Sequence, residues 1–118
     1  MWLSRYNWTD TDPKYNMIYC EIHGGYNKGV YLDIGSKESI KNAYEFADTV
    51  EDIANSEVII SMTIGLGILA AILFPGGTLA REVTKEALEA IGVPATLVTT
   101  VMNYHKQIVK ADGIFSLI

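Results

Sequence analysis

Cys20, Glu21 and His23 stand close together near the start of the chain, and Asp33 follows after a glycine-rich turn. Thiolate, carboxylate and imidazole are the common metal ligands and, suitably paired, a nucleophile and its base. On a strand, Cys20 and His23 are an odd number of positions apart and point to opposite faces, so they cannot share an ion. Glu21, His23 and Asp33 would share one face if the runs flanking the turn pair as a hairpin. They are the only candidate metal ligands, and the reading favours an exposed polar face with one cross-strand His–Asp pair. Cys20, alone in the chain, excludes an intrachain disulfide and a multi-cysteine metal site. Gly24-Gly25-Tyr26-Asn27-Lys28-Gly29 carries a lysine but lacks P-loop spacing, and no helix begins right after it. His105 reads as a helix-surface or interface residue, Glu82 and Glu86 as a solvated helix face, and no serine lies in a nucleophile-elbow context. The residues assemble no catalytic centre and call for no cofactor, so the expectation is a protein that is not an enzyme.

The elements that would position these residues fall into two halves of one expected domain, a β part over 1–35 and a helical part over 36–118. Residues 2–8 alternate loosely and predict an edge strand, followed by a turn through Asp10, Asp12 and Pro13. From Tyr15 to Tyr26, Ile18, Cys20 and Ile22 face one way and Met17, Tyr19, Glu21 and His23 the other. Val30, Leu32 and Ile34 repeat the pattern. With Asn27-Lys28-Gly29 as a three-residue loop, Tyr26 would face Val30, Ile22 would face Ile34, and His23 would face Asp33. The prediction is a small antiparallel hairpin or three-stranded sheet over about 2–34, in an α+β fold. Trp2, Tyr6, Trp8, Tyr15, Tyr19, Tyr26 and Tyr31 crowd this half, and most are read as packing both faces of a thin sheet.

Ser36 predicts an N-cap, and Ile40, Ala43, Tyr44, Ala47, Val50 and Ala54 recur at helical spacing over 37–55. Asn55-Ser56-Glu57 interrupts that pattern. Val58 to Phe74 then carries no charge, which predicts a second, fully hydrophobic helix over 58–74. Ile60, Ile64, Ile68 and Ile72 form one row of it, and Thr63, Gly67 and Ala71 a row of small residues. Pro75-Gly76-Gly77 stops it, Thr78 would cap a third helix over 79–91, and Gly92 and Pro94 separate that from a fourth over 95–111. Asp112-Gly113 would end the fourth, leaving an apolar tail, Ile114 to Ile118, that must dock on a core, a partner or a membrane.

A helix apolar all round must be buried all round. At about 1.5 Å per residue, 58–74 would be roughly 26 Å long, against about 30 Å of bilayer hydrocarbon. Such a segment sits at the short limit for a span, and its glycines suit close helix packing in lipid or in an oligomer. Ile60, Ile64, Gly65, Gly67, Ile68 and Ile72 are therefore the expected membrane or oligomer contacts. Over roughly 36–110, amphipathic helices flank this Gly/Ile/Leu-rich one. That pattern resembles helical bacteriocins and pore-forming toxin segments, and the resemblance implies a membrane-active protein. The chain departs from those peptides in charge, being acidic where they are basic.

The net charge of −5 comes entirely from residues 1–57, since 58–118 balances four cations against four acids. No basic stripe exists for phosphates, which excludes nucleic acid as an expected partner. The expected partners are a second copy of the chain, a lipid bilayer entered by apolar burial, or a basic protein meeting the acidic half. Met1 to Arg5 lacks a signal-peptide pattern, so the expected location is membrane-associated or cytoplasmic, with any secretion by a leaderless route. The first functional expectation is a small membrane-interacting, pore-forming or toxin-like protein. The alternative is an acidic interaction module, an immunity protein or assembly subunit, whose 58–74 segment is an oligomer core.

Overall fold

Alternating side chains in the first half make strands, and two long amphipathic helices in the second half cover them. The structure is a computed structural model that describes residues 6–10, 16–22 and 25–118. It contains β1 (Asn7–Asp10), β2 (Met17–Ile22) and β3 (Tyr26–Tyr31), then α1 (Lys37–Ser61), α2 (Leu66–Leu73), α3 (Lys85–Ala90) and α4 (Ala95–Leu117). The α+β layout of an antiparallel sheet followed by four helices is the expected one. The strands form one three-stranded sheet in the order β1-β2-β3. Ile18 and Cys20 turn inward as their alternation predicts, and Met17, Tyr19 and Glu21 lie on the other face. Trp2, Tyr15 and His23 fall outside the described residues, as does most of the predicted strand over 2–8.

The hairpin register differs from the expected one. Ile22 pairs with Tyr26, Ile18 with Val30 and Met17 with Tyr31, so the two strands are joined between Ile22 and Tyr26. Asn27, Lys28 and Gly29 are strand residues rather than a loop. Two reasons are visible. Gly29 lies beneath outer-face side chains, where an added Cβ would meet Met17 Cε at 3.0 Å and Tyr19 Cε1 at 3.2 Å. Lys28 is turned inward, donating from Nζ to the Phe115 carbonyl at 2.9 Å. Residues 32–35 consequently leave the sheet. Ile34 is exposed there instead of facing Ile22, and the Gly35 N–H closes the turn onto the Tyr31 carbonyl at 2.8 Å. An added Cβ at Gly35 would collide with that same carbonyl oxygen.

Ser36 caps α1, its hydroxyl accepting from the Ser39 N–H at 3.1 Å. Three helix boundaries within residues 55–84 then move, and a fourth, the predicted stop at Asp112-Gly113, is overrun by α4. First, α1 runs through Asn55-Ser56-Glu57 without a break, because Glu57 is turned into the core rather than outward. Second, the predicted 58–74 helix is divided. α1 ends at Ser61, Gly65 takes an extended conformation (φ −67°, ψ 146°) as the N-cap of α2, and α2 holds only 8 residues. Third, Thr78 does not start a helix. The Ala80 N–H is bound to the Leu73 carbonyl at 2.7 Å, which holds 78–84 in a non-helical path. Thr84 caps α3 instead, accepting from Ala87 N–H at 3.1 Å. The predicted stops at Pro75-Gly76-Gly77 and Gly92 hold, with Gly76, Gly77 and Gly92 all at positive φ, a region that suits glycine.

α1 and α4 are antiparallel. Phe46 stacks at a tilt on Phe115 with centroids 5.8 Å apart, and further along Tyr104 donates to Glu57 at 2.5 Å. One core cluster joins Ile18, Cys20 and Val30 of the sheet to Phe46, Val50, Ile53 and Ile60 of α1 and Val101, Ile108 and Ala111 of α4. The molecule is elongated, 50 × 24 × 22 Å, because α1 and α4 are each about 35 Å long. α4 passes through Asp112-Gly113 to Leu117, and the apolar tail docks as expected, with Ile114 and Phe115 buried. At its end the Phe115 carbonyl accepts from the Ile118 N–H at 3.2 Å and also from Lys28, and Asn42 Nδ2 donates to the Leu117 carbonyl, 3.4 Å away. The Lys28 ammonium also lies 4.7 Å from the centre of the Phe115 ring, a cation at the negative end of the helix.

Two substitutions test these joints by urea unfolding. Gly35→Ala should lower stability by about 1–3 kcal/mol through collision with a backbone oxygen. Lys28→Met, which keeps the aliphatic stem, should cost about 1 kcal/mol from the lost charge-assisted bond.

Candidate interaction surface

The residues singled out for metal chemistry are not brought together. Glu21 pairs with Asn7 on one side and Asn27 on the other. Asp33 lies in the turn past the opposite end of β3, and the strand run from Asn27 to Tyr31 alone covers about 13 Å at 3.3 Å per strand residue. His23 lies outside the described residues. Among the described residues no group of three His, Cys, Asp or Glu side chains could hold an ion.

Cys20 is fully buried on the inner face, and burial pushes its thiol up from 9.0 to about 12. Tyr6, also buried, is raised further by burial and then by its hydrogen bond to, and the charge of, Asp112. Both groups stay protonated when folded, in a range where the unfolded chain has lost the proton. Their stabilising effect is complete below about pH 9 and is lost as the pH climbs toward 12. Replacing Cys20 by Ala should therefore flatten the fall of unfolding free energy between pH 9 and 11, and the native thiol should resist alkylation at pH 8.

His105 is buried, not superficial, and its Nε2 lies 2.6 Å from the Ala80 carbonyl oxygen. With the Ala80 N–H already on Leu73, this pins the 78–84 segment along α4. Glu57 is only 2% exposed and accepts from Tyr104. Neither pairing carried a signal in the sequence, where Asn55-Ser56-Glu57 reads as an interruption between two helices.

The six residues expected to form a contact row are divided between core and surface. Ile60 is fully buried, Ile64 and Ile72 are partly buried against the core, and Gly65, Gly67 and Ile68 are exposed. The break before α2 reorients the second half of the row, so the i, i+4 spacing no longer defines one face. What the break creates is a corner. Val58, Ile59 and Met62 lie on the outer side of the last turn of α1, with Met62 82% exposed. Gly65 follows in the turn, and α2 then presents Gly67, Ile68 and Ala71 to solvent while Leu69 and Leu73 enter the core. A Cβ added at Gly65 or Gly67 would meet nothing within 4 Å, so their smallness serves no packing inside the chain. No charged residue occurs from Val58 to Ala80.

Compared with profiles of known protein families, with curated proteins and with solved structures, the chain matches none.

The two sides of α2 differ in cost. Ile68→Asp should change stability by about 1 kcal/mol or less, whereas Leu69→Asp, which buries an acid in the core, should cost more than about 4 kcal/mol. Paired thermal melts of the two variants check this.

Proposed function

We propose that the protein is a small interaction protein that assembles with a second copy of itself through the corner between α1 and α2. The observation that carries this reading is the exposure of Val58, Ile59, Met62 and Ile68 on a stretch with no charge. Exposed apolar side chains grouped on one surface mark contact sites, while scattered ones need no explanation. Gly67 and Ala71 sit four apart on the exposed side of α2. Two such helices can approach closely with no side chains between them, burying Ile68 and Met62 at the rim.

The lipid reading draws on the same residues and has less support. Among the described residues no helix is long and apolar enough to cross a membrane, and α2, at 8 residues, is about 12 Å long. Contact with a bilayer would then be interfacial, and interfacial helices combine an apolar face with flanking lysines and arginines. The corner has no cation between Val58 and Ala80. The exposed acids of α1, Glu45, Asp48, Glu51 and Asp52, would also oppose anionic headgroups. They suit a basic protein partner, which would leave the corner free for self-association. The proposal assigns the protein no catalytic step.

Sedimentation velocity without detergent, beside flotation with neutral and anionic liposomes, tests the assignment. Wild-type protein should form concentration-dependent oligomers and stay at the bottom of the gradient. Met62→Asp and Ile68→Asp should each weaken self-association at least tenfold with little change in melting temperature. Flotation of the wild type, lost in both variants, would replace the proposal with the lipid reading.

A further inference from the structure

The outer face of the sheet holds a shallow site that the corner does not use. Cross-strand partners share a face, so the register sets two rows of side chains on it. Asn7, Glu21 and Asn27 form one row, and Thr9, Tyr19 and Gly29 the next. A depression of about 210 Å³ lies over these rows, lined by Asn7, Trp8, Thr9, Tyr19, Glu21 and Asn27. The rows are about 7 Å apart and the outer strands about 10 Å apart, a span that suits one sugar ring with its hydroxyls.

Tyr19 supplies the aromatic ring of this face. A Cβ added at Gly29 would come within 3.2 Å of Tyr19 Cε1, so the ring leans across β3 into the space that the glycine leaves. Tyr19 is nevertheless 40% exposed, which leaves an apolar platform beside the polar row. The polar groups around it differ in sense. Asn7 Oδ1 accepts from the Trp8 N–H at 2.9 Å, which leaves its Nδ2 hydrogens to donate. Glu21, when ionised, only accepts, while Asn27 and Thr9 do both. Among the described residues of this face Glu21 is the one charged side chain. It opposes a phosphate or a carboxylate, and no lysine or arginine stands beside it to offset that repulsion.

A matching ligand must be flat and apolar on one side, must donate and accept at neighbouring positions of its rim, and must carry no negative charge. A simple ammonium engages the acceptors and leaves the Asn7 donors unmet, and a bare apolar ring leaves the whole row unmet. A pyranose meets all three conditions. Its C–H bonds make an apolar face that stacks on an aromatic ring, and each of its hydroxyls both donates and accepts. We propose that this face binds a neutral pyranose sugar. The ring stacks on Tyr19, one hydroxyl donates to the Glu21 carboxylate, and its neighbours accept from the side-chain amides of Asn7 and Asn27.

The inference does not depend on the corner being correct. Trisaccharides of glucose, galactose, mannose and N-acetylglucosamine would be titrated into isotope-labelled protein and followed by NMR. A galacturonic acid trisaccharide and tetramethylammonium chloride serve as the acidic and cationic contrasts. At least one neutral sugar should saturably shift the ring signals of Tyr19 and the side-chain amide signals of Asn7 and Asn27, and neither contrast should do so. Glu21→Gln removes the charged acceptor. Tyr19→Leu removes the platform but still covers Gly29. Each should weaken binding at least about tenfold, and Met62→Asp should bind as wild type does. Glu21→Gln, on the solvent side of β2, carries the test if Tyr19→Leu disturbs the sheet. No shift of these signals by any of the four neutral sugars at millimolar concentration would overturn the proposal. Binding that both variants leave unchanged would overturn it too, as would a response to galacturonic acid or tetramethylammonium alone.

Discussion

The pairing of α1 with α4 is the contact on which the remainder of the structure depends. Each helix alone is a long amphipath with one apolar stripe, and neither the sheet nor the short helices could cover it. Laid antiparallel, the two stripes bury Phe46, Val50, Ile53 and Ile60 with Val101, Ile108, Ala111 and Phe115 in one cluster. The polar interruptions in that seam are matched in pairs. Glu57 enters it with Tyr104, and carbonyls at the end of α4 accept from Lys28 and Asn42. Burial of a polar group is tolerable only when a partner is supplied, so these pairs fix how far one helix slides along the other.

That constraint explains why some elements were legible in the sequence and others were not. Local chemistry marked Ser36 as a cap, Gly92 and Pro75-Gly76-Gly77 as stops, and Ile18 and Cys20 as the inward face, and each needs only neighbours in the chain to be satisfied. The errors arose where a distant partner decided the outcome. Asn55-Ser56-Glu57 reads as a break between helices until Tyr104 takes the Glu57 carboxylate inward. Asp112-Gly113 reads as a helix end until Tyr6 bonds Asp112 and Phe115 docks on Phe46. Lys28 reads as a loop residue until the end of α4 lies beneath it. That contact, with Gly29 lying beneath Met17 and Tyr19, puts residues 27–29 in β3 rather than in a loop, and the changed register separates Glu21 from Asp33.

The candidate surface was half visible. An uncharged run from Val58 to Phe74 announces that something must cover it, and the covering turns out to be shared. Ile60, Leu69 and Leu73 are taken up by the chain's own core, and Val58, Ile59, Met62 and Ile68 are not. The division depends on Gly65, whose extended conformation interrupts a helix that hydropathy alone would run straight through. Composition shows how much apolar surface a segment has, but only backbone geometry shows which part of it the chain spends on itself.

The antiparallel seam also sets an order of events during synthesis. Its contacts join residues far apart in sequence, such as Phe46 with Phe115, and closing so long a loop must precede any return from the contact. At about 5–20 residues per second, the apolar stripe of α1 waits roughly 3–12 s for α4 to be made. Through that interval Val50, Ile53 and Ile60 lack the α4 residues with which they share the core of the folded protein.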